Sequence, residues 1–265
     1  MASVVTQVVG KAYWKGKEFL FQTGLHRLSY RLMNWRKDLF VCPICHYAGP
    51  FIDQLTPDTI REHSLCPKCG SLERHRLQYL VMKTLEAQMD FSRMSLLHCA
   101  PEQVFRELFR KWFRHYTTAD RARADVHYQS DLRDLPFADK SFDCVYASHV
   151  LEHIKEDDRA LSEIQRVLTP SGIAVLPVPI VAGTTIEYPH ADEFGHVRAP
   201  GFDYIEKYTK YFAKVKTWSS HDFPSKYQVF IYEDRMVWPT PERPLAHPMA
   251  GEKHLDIVPV GYVSS

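Results

Sequence analysis

Four of the six cysteines stand in two Cys-x2-Cys pairs, Cys42/Cys45 and Cys66/Cys69, with twenty residues between the pairs. A Cys-x2-Cys turn points two sulfurs at one ion, and two such turns supply the four thiolates that zinc takes in a tetrahedron. Each pair carries a proline after its first cysteine, Pro43 and Pro67, and Gly70 follows the second pair, where a positive backbone φ is often needed. Catalytic zinc normally keeps one position for water, whereas four cysteines close the shell, so the expected zinc is structural. Cys99 and Cys144 stand alone in apolar runs and are expected to be buried packing. Disulfides fit poorly in a long chain whose N-terminus lacks the apolar core of a secretory signal.

A second set of residues suits nucleotide and proton chemistry. Asp120 and Asp131 each follow a short strand-like run, His149 and His153 flank Glu152, and the polar stretch Glu187–Arg198 holds His190 and His196 among acids and an arginine. Imidazoles titrate near neutrality, which makes His149, His153, His190 and His196 the candidate catalytic bases. The bland alternatives stay open: His149 and His153 as shaping residues, His190 and His196 as surface residues.

These groups must be positioned by alternating strands and helices. Strands are predicted at Ser95–Ala100, His115–Ala119, Val126–Gln129, Phe142–Ser148 and Gly172–Pro179. Helices are predicted at Glu73–Asp90, from Pro101 to about His115, and at Glu156–Leu168, with Pro101 favoured in a first turn. Such alternation argues for an α/β fold, a Rossmann-like, mostly parallel sheet of seven strands with helices on both faces. In such sheets ligands bind outside the carboxyl ends of the strands, where Asp120 can accept the hydroxyls of a ribose and Asp131 with Leu132 can read the edge of an adenine. Beyond the fifth strand, Phe202–Phe212 reads as helical and Lys214–Ser219 and Tyr227–Trp238 as strands. Residues 239–265, with Pro239, Pro241, Pro244, Pro248 and Pro259, read as a loop-like tail. The expected organisation is therefore a helical arm over 1–40, a four-cysteine module over 41–76, the sheet domain over 77–238 and the tail over 239–265.

Lys+Arg number 33 against Asp+Glu 32, a formal charge of +1, so the chain has no overall field of the kind that concentrates nucleic acid or anionic lipid. Residues 42–76 balance Arg61, Lys68, Arg74 and Arg76 against Asp53, Asp58, Glu62 and Glu73, which disfavours RNA as the module's partner. No stretch approaches the length of an apolar membrane span, and the expected location is the cytoplasm. The arm is rich in aromatic and basic residues, among them Tyr13, Trp14, Phe19, Arg31 and Trp35. It is expected to pack on the body or on a second copy in a homo-oligomer, contact with membrane or RNA being the alternative.

The run Asp131–Pro179, DLRDLPFADKSFDCVYASHVLEHIKEDDRALSEIQRVLTPSGIAVLPVP, resembles class I S-adenosylmethionine-dependent methyltransferases from the adenine-reading acid to the fifth strand, and the resemblance extends over about residues 94–180. It implies S-adenosylmethionine as cofactor. The usual acid and glycines after the first strand are replaced by Leu97-His98-Cys99-Ala100-Pro101-Glu102-Gln103-Val104. This run is similar to a His-x-Ala-Pro-Glu variant in a bacterial branch that also carries the Cys-Pro-x-Cys-Gly-Ser-x-Glu-Arg-His-Arg segment matched by Cys66–Arg76. By this resemblance His98, Ala100, Glu102, Asp120, Asp131, Leu132 and His149 contact the cofactor, with Glu102 holding its ammonium group. The alternative for Glu102 is a solvated first-turn acid.

The resemblance implies methyl transfer, and the polar segment with no basic field favours a small polar acceptor such as a sugar or natural-product intermediate, methylated on oxygen or nitrogen. The alternatives are an RNA base methyltransferase, a non-methylating enzyme using the same cofactor, and a non-catalytic binding subunit.

Overall fold

The computed structural model describes residues 24–55, 60–192, 194–233 and 252–264. The expected arm residues 1–23 and tail residues 239–251 lie outside them. The module comes first, with the short antiparallel pair β1 (Phe40–Val41) and β2 (Ala48–Gly49) and the hairpin β3 (Ile52–Leu55) and β4 (Ile60–Leu65). The Glu73–Glu86 helix follows, then β5 (Ser95–Cys99), the Gln103–Trp112 helix, β6 (His115–Asp120), β7 (Tyr128–Gln129), β8 (Phe142–Ala147), the Asp157–Val167 helix and β9 (Leu168–Val175). A short pair, β10 (Ile186–Glu187) and β11 (Arg198–Ala199), precedes a 3-10 stretch at Phe202–Lys210, and the chain ends with β12 (Lys214–Ser219), β13 (Ile231–Glu233), β14 (Glu252–His254) and β15 (Ile257–Tyr262).

Seven strands form the main sheet in the order β12-β15-β9-β8-β5-β6-β7. Only β15 runs against the others. The expected α/β sheet is therefore present. Period-two alternation divides its side chains: Leu97, Cys99, Val145 and Ala174 meet the Asp157–Val167 helix and Tyr204 and Tyr208 on one face. Leu96, Cys144, Tyr146 and Val175 meet the helices carrying Leu77, Val81, Phe105 and Phe109 on the other. Chain order reverses between β5 and β8, which places the crevice at their carboxyl ends.

The tail reading is corrected by β14 and β15. The prolines of 239–265 suggest a loop, yet β15 is a buried strand inserted between β9 and β12, and the Pro259 carbonyl accepts the Leu176 amide at 3.1 Å. Ile257, Val258 and Val260 fill the core from both faces. Phe212 lies so close to Gly261 that a Cβ there would meet its ring at 2.5 Å, so only glycine fits.

The module boundary at residue 76 is also corrected. Glu233 pairs with Arg61, so β13 and β14 complete the module's own sheet in the order β14-β13-β4-β3. Of the arm, the described helix Gly24–Met33 is tied to the module by a Tyr30 hydroxyl donating to the Phe51 carbonyl, and Lys37 pairs with Asp53 just beyond it. Leu28, Leu32, Met33 and Trp35 remain exposed. Among the described residues no helix is long and apolar enough to cross a membrane.

Candidate active site

At the reversal point two non-glycine residues occupy the left-handed region, Ala100 after β5 with φ 46° and His149 after β8 with φ 54°. Each is held by a neighbouring strand: the Ala100 amide donates to the Ala119 carbonyl and the His149 amide to the Pro177 carbonyl. Such conformations cost about 1–3 kcal/mol and persist where the surroundings over-determine them. They turn the chain sharply away from the strand ends and leave room above them.

That room is a cavity of about 430 Å³, and Ala100, Asp120, Asp131, Leu132 and His153 are among its lining residues. Asp120 closes β6, and the amides of Ala122 and Arg123 both donate to its Oδ1. Asp131 accepts from the Arg133 amide and Nε on Oδ1 and from Arg133 Nη2 on Oδ2, and these bonds hold its carboxyl down at about 2. Arg133 in turn reaches Glu156 at 2.5 Å. This clamp is absent from the sequence reading, although Asp131-Leu132-Arg133 is a visible carboxylate–guanidinium spacing. Cys99 and Cys144 are buried as expected, and Cys99 also lines the cavity floor.

Three of the expected cofactor residues do not line the cavity. His98 lies on the opposite face of the sheet, fully buried among Phe109, Tyr116 and Tyr146, with its Nδ1 3.0 Å from the Tyr116 hydroxyl. Burial pushes its pKa down to about 3. Its expected cofactor contact is corrected: strand alternation turns it away from Cys99's side. Glu102 is neither solvated nor free, because the helix after the module meets it. The Leu72 amide donates to His75 Nδ1, so Nε2 carries the proton and donates to Glu102 Oε1 at 2.9 Å, with Arg74 at 3.3 Å. Burial pushes the Glu102 carboxyl up, but the His75 bond and the Arg74 charge outweigh it and hold the pKa at about 2. The second oxygen of Glu102 is buried with no hydrogen-bond partner among the described residues. His149 is half-buried, its Nδ1 3.6 Å from Glu152, and burial together with Arg74 lowers its pKa well below the usual histidine value.

The polar segment 187–198 folds back over the Leu151–His153 turn. The Val197 amide donates to the Glu152 carbonyl, and Arg198 donates to the carbonyls of Leu151 and Ile154. Arg198 is thus a buried strut rather than a charge at the mouth of the cleft, paired with Glu187 at 2.7 Å. The fold brings His196 against His153, ring centroids 4.7 Å apart, while His190 is exposed on the loop and outside the cavity lining. Burial lowers the pKa of His153 and raises that of the buried Glu152 to about 8. Glu152 is a participant that sequence reasoning missed; its signal is the His149-x2-Glu152-His153 spacing.

The module's sulfurs converge. Cys42–Cys69 and Cys45–Cys66 are 3.6 Å apart. A tetrahedral zinc with 2.3 Å bonds sets sulfur–sulfur edges of about 3.8 Å, so the donor set fits zinc and is far too open for a disulfide. The two knuckles repeat one geometry: the His46 amide donates to the Cys42 carbonyl and the Gly70 amide to the Cys66 carbonyl, both at 2.9 Å. His46 and Gly70 have φ 59° and 69°, the positive angle expected at Gly70.

Residues 114–176 match the family model described as a methyltransferase domain. An uncharacterized 37.1 kDa protein in transposon TN4556 of Streptomyces fradiae is 41% identical over 59 residues, 22% of this chain and 17% of that one. The demethylmenaquinone methyltransferase of Renibacterium salmoninarum is 32% identical over 120 residues, 45% of this chain and 44% of that one. The chain thus spans less than half the length of these curated relatives. The solved structure of the YcgJ protein from Bacillus subtilis superposes with a TM-score of 0.44 at 15% identity, over 72% of this chain and 99% of that one. Over residues 114–176, which run from β6 to the end of β9 in the seven-stranded sheet, the chain is therefore similar to a methyltransferase domain.

Proposed function

We propose that the chain is an S-adenosylmethionine-dependent methyltransferase acting on a small molecule. The observation that carries this reading is the cavity at the strand-order reversal, with Asp120 and Asp131 at the ends of adjacent strands inside the segment of family match. Asp120 would accept the ribose hydroxyls, and Asp131, ionised by its Arg133 clamp, would read the adenine with Leu132. Glu102, engaged by His75 and Arg74 outside the cavity lining, is left out of the donor site in this proposal. The cofactor supplies an electrophilic methyl group on a sulfonium. What the protein must add is an acceptor aligned within about 3–3.5 Å and a group to take its proton. His153, at the cavity edge with a lowered pKa, is neutral near pH 7 and fits that role.

For the acceptor we propose a small polar metabolite methylated on oxygen or nitrogen, because Lys155 and Glu156 join His153 in the cavity lining and the chain has no overall basic field. A second reading, methylation of carbon, is favoured by a 44-residue alignment at 48% identity with the ubiquinone/menaquinone biosynthesis C-methyltransferase UbiE of Hahella chejuensis. Zinc at the four cysteines is structural in this proposal. Calorimetry on nucleosidase-treated protein tests the first step: binding of S-adenosylmethionine or its demethylated product supports it, and absence of both sinks it. Mass spectrometry of products from mixed metabolites, with and without deuterated methyl donor, then separates oxygen, nitrogen and carbon acceptors. Donor binding without transfer to any acceptor would instead point to a binding subunit.

A further inference from the structure

Glu152, His153 and His196 each offer a ligand atom, and these three atoms lie within 4.8 Å of one another. They come from two segments, the Leu151–His153 turn and the loop ending at β11, joined by the Val197 amide on the Glu152 carbonyl. The tautomers follow from what each histidine touches. His153 Nδ1 is 3.1 Å from the Gly195 carbonyl and His196 Nδ1 is 2.9 Å from Asp192 Oδ2, and neither oxygen can donate. Both Nδ1 atoms therefore carry a proton, and in the neutral imidazoles Nε2 is left as the ligand atom. A histidine tied at one nitrogen to a carbonyl or carboxylate and open at the other is the arrangement that metal-ligating histidines show.

The loop is built to hold this geometry. Asp192 accepts the amides of Phe194 and His196 on Oδ1 while its Oδ2 takes the imidazole, and Gly195 turns the chain at φ 80°. An independent observation comes from the carboxylate: Glu152 is 1% exposed, and its Oε2 is buried with no hydrogen-bond partner among the described residues. A buried oxygen of this kind is costly unless something binds it. Oε1 already lies 3.9 Å from His153 Nε2.

We propose that Glu152, His153 and His196 bind one divalent transition-metal ion. Two imidazoles and one carboxylate form a three-ligand set that suits iron, cobalt, nickel or zinc and leaves positions open to solvent or substrate. Bond lengths of about 2.0–2.2 Å would draw the donors to about 3.0–3.5 Å of one another, a movement available to the two part-exposed imidazoles. The ion is distinct from the zinc of the four thiolates. His153 also lines the cavity, so an open position would face an acceptor there, and with the ion bound its Nε2 is a ligand and no longer the proton acceptor; these last clauses rest on the methyltransferase reading.

The test is cobalt binding to the full chain, first saturated with zinc and then freed of loosely held metal, with no cofactor present. One further Co2+ per chain is expected, with weak visible d–d absorption and no thiolate-to-metal charge-transfer band. His196→Gln and, separately, His153→Gln should abolish it, with zinc content and circular dichroism unchanged. Asp192→Asn should weaken it about 10–100-fold, since it removes only the supporting bond. No retained cobalt outside the thiolate site overturns the proposal, as does equal retention by both histidine variants. Because neither methyl donor nor turnover enters the measurement, its failure leaves the methyltransferase reading standing, and the reverse.

Discussion

Arg76 and Gln228, 152 positions apart, are joined by two hydrogen bonds, Nε and Nη2 of the guanidinium both donating to one backbone carbonyl at 2.9 and 2.7 Å. The same side chain donates to the carbonyls of Tyr227, Ser64 and Ser71, and its guanidinium lies over the Phe51 ring. It is fully buried and joins the four-cysteine module, the following helix and the loop before β13. Arg76→Met removes the donors and leaves buried carbonyls unpaired, at about 1–3 kcal/mol for each one that water cannot reach. A loss of at least about 3 kcal/mol is expected in urea unfolding, and a loss below 1 kcal/mol would contradict this role.

Loss of the zinc proposed at the four cysteines should act through the same junction. Cys42 and Cys66 are buried in a small cluster with Tyr47 and Phe51, so a metal held there would replace much of the core the module lacks. Cys66→Ser is expected to lose zinc and solubility while the remaining folded fraction keeps its turnover per molecule. Metal analysis and activity normalised to folded protein read the two effects separately. Selective loss of turnover with full folding would move the zinc into the active site.

Asp120→Asn tests the nucleotide end. Its two amide contacts fall on Oδ1, and an asparagine can keep them, so the fold should be unaffected. Lost charge-assisted bonds to a ribose should weaken donor binding by about 10–100-fold in calorimetry.

Ala100 carries backbone strain at the cavity wall. Ala100→Gly relieves the left-handed penalty but adds unfolded-state freedom, so the net gain in stability is expected to be up to about 1 kcal/mol. Ala100→Val should destabilise the turn and obstruct the cavity, which thermal unfolding and donor binding report independently.

Asp256 predicts a pH dependence. Burial raises its folded pKa to about 7, against about 3.9 in an unfolded chain. A raised carboxyl pKa favours the protonated folded state, so its contribution is complete below pH 4, declines as pH rises toward 7 and is flat above. Asp256→Asn cannot ionise. Its stability relative to the parent chain should therefore increase from pH 4 to pH 7 by a few kcal/mol, and parallel stability curves would refute the assignment.

Much of this architecture is legible in local patterns. The Cys-x2-Cys spacing sets the module, and the alternation of apolar runs sets β5, β6, β8 and the intervening helices, because period two and period 3.6 are properties of neighbouring residues. Asp120 and Asp131 are visible as acids at strand ends for the same reason. The prolines near the C-terminus mislead: proline disfavours a central strand locally, but the apolar residues of β15 bury more surface between β9 and β12 than a loop could.

What the amino-acid sequence by itself determined is the four-thiolate knot, the order of strands and helices, and the acids that face the cavity, all consequences of short-range spacing. Only the tertiary structure decided that Glu102 meets His75 and Arg74, that His98 turns away into an aromatic cluster, and that His196 joins Glu152 and His153 while His190 does not. Those pairings span tens of residues, and they are set by which faces of the sheet and which loops pack together.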